Sequence, residues 1–218
     1  MALDVKIPQT QQNFYKNTEV PLIQKKFDTI EKNYKQFIDN TATLTGVDRN
    51  VIKSFIFIES GGNPNAETPY AVGLMQVSTA GASDALVYEK SSGRLSADEE
   101  AILKKTLGAK MSNLNNLKPN QKSTGKTWVS RTELLVPEFN ILVGSIMLKQ
   151  MIDEYAENGK ARLDKVAVVY NTGKFSKIGK TAIAHKGNTD SLIAAIPKGQ
   201  ADYIRKLVGI NSTLDILI

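Results

Sequence analysis

A chain of 218 residues, 41% apolar and 23% charged, can bury a substantial core and reads as one globular domain, or one with an appendage, rather than as a disordered chain. The absence of cysteine excludes disulfides, thiolate metal sites and cysteine nucleophiles, and a single histidine, His185, argues against a serine–histidine triad or a multi-histidine metal centre. With a net charge of +6, the chemistry left to it is that of carboxylates, hydroxyls and amides, acting on or near an anionic partner.

The start, Met1 to Pro8, lacks the basic-then-apolar layout of a secretory signal, so either export runs by another route or a leader is absent from this sequence. No apolar run approaches the roughly 20 residues that span a bilayer. Residues 1–17 are polar, rich in Gln and Asn, and read as irregular. From about Glu19 to Thr43, Ile23, Phe27, Ile30, Tyr34 and Phe37 fall on one helical face, and Gly46 ends that helix. Asp48 is a fitting N-cap for a second helix through Val51, Ile52, Phe55, Ile56 and Ile58, closing at Ser60-Gly61-Gly62. Asn63 to Tyr70 has turn composition and leads into a short apolar run, Val72–Val77.

Ser96 to Glu99 is a capping box that opens a helix to about Lys110, whereas Asn113 to Ser130 reads as loop. Pro137 sits at the start of a long helix through Ile141, Gly144, Met147, Leu148, Met151 and Tyr155, stopped by Asn158-Gly159. Further helices are expected over about Leu163–Tyr170, Asp190–Ala195 and Gln200–Val208. No internal repeat and no βαβ alternation is visible. The fold class is mostly α, with any strands confined to loops between about Gly73 and Ser130.

Between Ala101 and Arg131 stand Lys104, Lys105, Lys110, Lys118, Lys122, Lys126 and Arg131, with no acidic residue. Such a stretch suits an anionic polymer, or is a solvated loop whose lysines serve solubility.

Glu59 is the most telling single position. It ends the apolar run Phe55-Ile56-Phe57-Ile58 and is followed at once by Gly61-Gly62. Loss of water raises a carboxyl pKa and keeps a general acid protonated near neutral pH, and bare glycine backbone lets a bulky polymer approach. Taken alone, the same residue reads more readily as an exposed glutamate near a helix end.

The surrounding blocks go further. Glu59-Ser60-Gly61-Gly62-Asn63-Pro64-Asn65-Ala66, then Thr68-Pro69, then Ala71-Val72-Gly73-Leu74-Met75-Gln76, closely resembles the first signature of the soluble lytic transglycosylase family. Pro137 to Gly144 with Leu148 resembles that family's Asn-Ile-x-x-Gly helix. Ala167 to Gly173 is similar to its Ala-Tyr-Asn-Ala-Gly segment, and Ile196-Pro197 with Tyr203 to Lys206 to its closing Pro…Tyr-Val-x-Lys helix. The four blocks stand in the family's order and cover roughly Ile38 to Val208.

The resemblance implies a lysozyme-like transglycosylase domain at 46–210 with a basic insertion at about 83–135, an N-terminal extension and helix at 1–45, and a tail at 211–218. It implies Glu59 as sole essential carboxylate, cutting the bond between N-acetylmuramic acid and N-acetylglucosamine in peptidoglycan, first as acid and then as base, to leave a 1,6-anhydro end. It gives Tyr170 the task of orienting that carboxyl, and places Ser60, Met75, Gln76, Asn140 and Asn171 at the substrate-binding site. Met75 reads as packing beneath it, Asn140 and Asn171 as holding loops by backbone hydrogen bonds, and Gly73 and Gly144 as points of close backbone approach. No metal and no cofactor is called for, and no nucleic-acid partner is expected.

Two departures touch the cleft. A glycine usual in the family is absent between Tyr70 and Ala71, and the stretch from Gln76 to Asn140 is longer than the family's. Two rival readings remain open. One is a hydrolytic muramidase resembling goose-type lysozyme, which, if inverting, needs a second carboxylate, Glu67 or Asp84, to hold water. The other is a non-enzymatic wall-binding or virion structural module. A wall-cutting chain without export signal fits a bacteriophage lysin or virion-associated enzyme with tail-protein partners, and equally a bacterial enzyme acting in the periplasm.

Overall fold

The computed structural model describes residues 8–218. It is mostly helical, and its only β pairings among those residues are isolated bridges, two of which join Val72 to Glu67 and to Val77. The chain divides into two compact units, one from Thr29 to Lys149 and the other from the N-terminal stretch to Asp28 together with Gln150–Ile218. Residues 8–16 are irregular, as expected, and residues 1–7 lie outside the described part.

In chain order the helices are α1 (Val20–Thr45), α2 (Arg49–Ser60), α3 (Thr79–Ser91), α4 (Ala97–Leu107), α5 (Arg131–Leu134) and α6 (Pro137–Tyr155). They continue with α7 (Leu163–Thr172), α8 (Lys177–Ala184), α9 (Thr189–Ala195), α10 (Lys198–Val208) and α11 (Thr213–Leu217). The division between the units falls within α1 and within α6.

In the Thr29–Lys149 unit, α6 is the central helix. Every residue from 139 to 146 is buried, which is why this stretch is apolar almost all round rather than striped. Helix α2 is buried in the same way from Val51 to Ile56, and its start is fixed by the Asp48 carboxylate, which accepts from the Asn50 and Val51 amides at 2.7 and 3.3 Å. Helix α1 buries Ile23, Phe27, Ile30 and Tyr34 as expected, and at its C-terminal end Ile38 is buried while Phe37 is half-buried.

Helix α3 is where sequence periodicity failed. It buries Ala82, Ala85, Leu86 and Val87, but also Ser83 and Glu89, so its inner face does not read as apolar. Glu89 is fully buried between Arg94 (2.8 Å) and Lys149 (3.0 Å), and the Ser83 hydroxyl accepts from the Trp128 and Val129 amides at 3.0 and 3.1 Å. That pair of bonds anchors the far end of the 115–130 loop. Helix α4 opens with the expected box, Ser96 Oγ accepting from the Glu99 amide (3.2 Å) and the Glu99 carboxylate from the Ser96 amide (2.7 Å). It stops at Leu107, and a 3-10 turn continues from Gly108 to Leu114.

In the other unit, α7 packs on α8 and α10, and α10 in turn on α9 and α11. Its core is Leu163, Val166, Val168, Val169, Leu192, Ile204, Leu207 and Val208. Asp164, fully buried, is held by Arg162 (2.8 Å) and by the Thr189 hydroxyl (3.2 Å). The short helices α5, α8 and α11 lack the length to show a periodic pattern, and the sequence reading missed them.

Helices α1 and α2 are joined by a charged network. Glu31 binds Arg49 (2.7 Å) and the nearly buried Lys53 (2.9 Å), and Arg49 also binds Asp39 (2.9 Å). Burial alone would push the Glu31 carboxyl up, but its hydrogen bonds to Lys53 and Arg49 and their charges outweigh this and hold it below its usual value of 4.5. A depressed folded-state value means a contribution that is present above the unfolded value and lost as the pH falls through the folded one. Glu31→Gln should therefore lower Tm at pH 7 by roughly 2–4 °C, equivalent to about 1 kcal/mol in a chain of this size. The gap to wild type should close as the pH is taken below about 4.5 in calorimetric scans.

Candidate functional site

Helix α2 carries Glu59 from the core to the surface. Its residues are buried through Ile56 and half-buried from Phe57 to Ser60, so Glu59 stands in the last turn where the helix emerges. Gly61, in the left-handed region at φ 61°, ends it by donating its amide to the Phe57 carbonyl at 2.9 Å.

The Ser60 hydroxyl lies 2.7 Å from the Leu74 carbonyl and 3.1 Å from that of Ile56, and accepts from the Gly62 amide at 3.2 Å. It thus ties the end of α2 to the Val72–Val77 turn. From α1, the Tyr34 hydroxyl donates to the Gly62 carbonyl at 3.3 Å, and burial pushes its pKa up, keeping it a donor. The backbone on the C-terminal side of Glu59 is therefore braced from two elements.

The turn itself is built by amides. Val72 and Val77 exchange both backbone hydrogen bonds at 3.0 Å, and the Gly73 amide donates to the Ala66 carbonyl at 2.8 Å. Gln76 adopts a positive φ of 46°, and its side-chain amide donates to the Ala66 and Gly73 carbonyls, both at 2.9 Å. Asn140 of α6, fully buried, donates to the Val72 and Leu134 carbonyls at 2.9 and 2.8 Å and accepts from the Met75 amide at 2.8 Å.

The approach of turn to helix leaves no room for side chains at two glycines. A Cβ at Gly73, whose φ is +81°, would lie 2.4 Å from Asn140 Nδ2, and one at Gly144 would lie 2.6 Å from the Met75 sulfur. Both glycines are thus the close approaches expected from the sequence.

Four of the sequence-derived residues, Ser60, Met75, Gln76 and Asn140, are in this way brought together in the Thr29–Lys149 unit around the end of α2. Met75 and Asn140 have no exposed surface, so their action on any ligand runs through the turn they hold. Ser60 and Gln76 are half-buried, with the hydroxyl and the amide nitrogen engaged by backbone carbonyls. Sequence reasoning missed Tyr34 as a brace of the Gly62 turn, because a tyrosine on a helical face reads as core.

Tyr170 and Asn171 belong to the other unit, at the end of α7. Tyr170 is half-buried, and Gly173 ends the helix with its amide on the Val169 carbonyl at 2.8 Å. Asn171 is exposed, its side-chain oxygen 3.4 Å from the Gln200 amide nitrogen of α10.

The two other carboxylates considered sit differently. Glu67 is bound by Arg131 at 2.7 and 3.2 Å, and Asp84 is exposed on α3. His185 pairs with Ser191 at 2.8 Å. Among the described residues no group of acidic or histidine side chains is placed to hold a metal, and no helix is long and apolar enough to cross a membrane.

No family model matches the chain. Over 78 residues it is 38% identical to the membrane-bound lytic murein transglycosylase E of Buchnera aphidicola subsp. Acyrthosiphon pisum, a match covering 34% of this chain and 33% of that protein. Over that stretch the chain is similar to a lytic murein transglycosylase. The match spans about a third of the relative's length. Among solved structures, an inactive mutant of the lytic transglycosylase Slt from Pseudomonas aeruginosa aligns over 79% of this chain and 22% of its own, with 18% identity and a TM-score of 0.48.

Asn140 is the residue of this site with the most to lose. Asn140→Ala would strand the Met75 amide and take the side-chain donor from the Leu134 carbonyl, while the Val72 carbonyl keeps the Val77 amide, and each group left unpaired in a dry interior costs about 1–3 kcal/mol. The variant should show a stability loss of roughly 2–4 kcal/mol in urea denaturation, large for a single substitution.

Proposed function

We propose that this chain cleaves the glycan strands of peptidoglycan by transglycosylation, with Glu59 as its single acid and base. The observation that carries the reading is the setting of Glu59. It ends a buried helix at the surface, two glycines follow it, and the family-like residues Ser60, Gln76, Met75 and Asn140 brace the turn beside it. The relative's name, a lytic murein transglycosylase, supports the same substrate class.

In this reaction the protonated Glu59 carboxyl gives its proton to the bridging oxygen as the bond from C1 of N-acetylmuramic acid breaks. The resulting carboxylate then takes the proton of that sugar's C6 hydroxyl while the C6 oxygen attacks C1. One carboxyl suffices because the nucleophile belongs to the substrate, and no water is consumed. A hydrolase would instead need a second carboxylate to hold water; of the two candidates Glu67 is engaged by Arg131, whereas Asp84 is exposed on α3. The resemblance of Ala167 to Gly173 to the family's Ala-Tyr-Asn-Ala-Gly segment supports Tyr170 as the accompanying hydroxyl. The site of action in this reading is the cell wall, and no metal or cofactor takes part.

Glu59→Gln should abolish release of muropeptides from purified sacculi while the protein stays folded, because an amide neither gives nor takes the proton. Tyr170→Phe should slow release roughly 10- to 1000-fold. Wild-type products should be lighter by one water than those of a hydrolase, as mass spectrometry reads directly. Full activity of a folded Glu59→Gln protein would overturn the assignment.

The basic segment serves encounter in this reading. Three of its charges are neutralised by acids from elsewhere in the chain: Lys105 by Glu138 at 3.6 Å, Lys110 by Glu133 at 2.7 Å, and Arg131 by Glu67 at 2.7 Å. Lys118, Lys122 and Lys126 are exposed on the 115–130 loop, which is pinned to α3 where the Asn120 amide donates to the Ser91 carbonyl at 3.1 Å and the Ser91 hydroxyl to that of Gln121 at 2.9 Å. Replacing these three lysines by glutamine should weaken co-sedimentation with sacculi and flatten its salt dependence. Turnover of a short uncharged glycan should stay within about threefold of wild type.

A further inference from the structure

Tyr70 is 85% exposed, the most solvent-open of the large hydrophobic residues in the described chain. The loop that carries the ring is closed by its own hydrogen bonds. The Thr68 amide donates to the Ala71 carbonyl at 2.9 Å, and the Thr68 hydroxyl oxygen accepts from the Tyr70 and Ala71 amides at 3.3 and 3.0 Å. Pro69 fixes the backbone between them.

The base of the loop is closed by the Gly73 amide on the Ala66 carbonyl at 2.8 Å and by the pairing of Glu67 with Val72. From outside, Arg131 grips both the Glu67 carboxylate and, at 2.8 Å, the Thr68 carbonyl. The loop that displays Tyr70 thus shares its base with the Gln76 amide, and the next residue but one beyond Val72, Leu74, is bonded to Ser60 beside Glu59.

From this arrangement we propose that Tyr70 is a carbohydrate-stacking residue, its ring face taking the C–H face of one pyranose of a glycan strand that runs past Glu59. The inference rests on the glycan-cleaving reading above and adds to it a subsite. A pyranose presents polar hydroxyls around its edge and an apolar face of C–H bonds, which a rigidly displayed aromatic ring complements at small entropic cost. The chemistry uses the ring and not the phenolic hydroxyl, so phenylalanine and tryptophan can replace it.

The test is binding of soluble glycan strands, freed of stem peptides by an amidase, to the Glu59→Gln protein by calorimetric titration, so that nothing is cleaved. Adding Tyr70→Ala should raise Kd roughly 5- to 20-fold, whereas Tyr70→Phe should stay within about twofold. In the active protein, Tyr70→Ala should raise KM and leave kcat near wild type. Because the side chain is solvent-open, Tm should not move, which separates a lost subsite from a lost fold. Undiminished binding by the Tyr70→Ala protein overturns the stacking role alone. Equal losses with Tyr70→Ala and Tyr70→Phe overturn it in favour of a hydrogen bond from the hydroxyl. Failure of the Glu59→Gln protein with Tyr70 intact to bind any glycan overturns the glycan-cleaving reading along with it.

Discussion

The side chain of Asn140 is the constraint on which the candidate site depends. An asparagine amide has two donor hydrogens and one acceptor oxygen, and here all three functions are used inside a dry interior, on Val72, Leu134 and Met75. A turn that must run against an apolar helix has backbone amides and carbonyls with no water to meet them, and one buried amide side chain supplies the missing partners. No apolar residue could do so, and a charged one would bring a desolvation cost of its own. The Cβ-free backbone at Gly73 is the other half of the fit, since the asparagine reaches the turn only where no side chain intervenes.

From that anchor the site is assembled outward by short polar links. The Val72–Val77 turn, fixed from below by Asn140, is bonded to Ser60, and Ser60 is the residue next to Glu59. A half-buried carboxyl at a helix end is mobile by default, because helix ends fray. Here the end is held by the left-handed Gly61, by the Ser60 hydroxyl and by Tyr34 on the Gly62 carbonyl. The positive φ of Gln76 fits the same logic, a non-glycine residue kept in a sparsely populated conformation by two hydrogen bonds from its own side chain.

Charge in the Thr29–Lys149 unit is arranged at two scales. Buried or half-buried acids, Glu31, Glu89 and Glu133, are each matched with cations at short range, which satisfies carboxylates that could not stay charged alone. The lysines of the 115–130 loop stand outside these networks, in solvent, where charge acts at a distance of about a Debye length. A linear count of the segment from Ala101 to Arg131 merged the two kinds, since Glu67, Glu133 and Glu138 lie outside it in sequence and against it in space.

What the sequence by itself determined was local in cause. Asp48 and the Ser96–Glu99 box set helix starts, Gly61 set an end, and Pro137 marked the first residue of α6, because such signals depend on residues a few positions apart. The residues of the candidate site were legible as motif, and Gly73 and Gly144 as close approaches. Helix α3 was not, because its inner face includes Ser83 and Glu89, and a buried polar residue looks like a surface one until its partner is known. Those partners, the Trp128 and Val129 amides and Lys149, lie tens of residues away, and the Leu74 carbonyl that Ser60 meets lies 14 residues on. Only the tertiary structure decided them, since a hydrogen bond between distant residues leaves no period and no spacing in the chain.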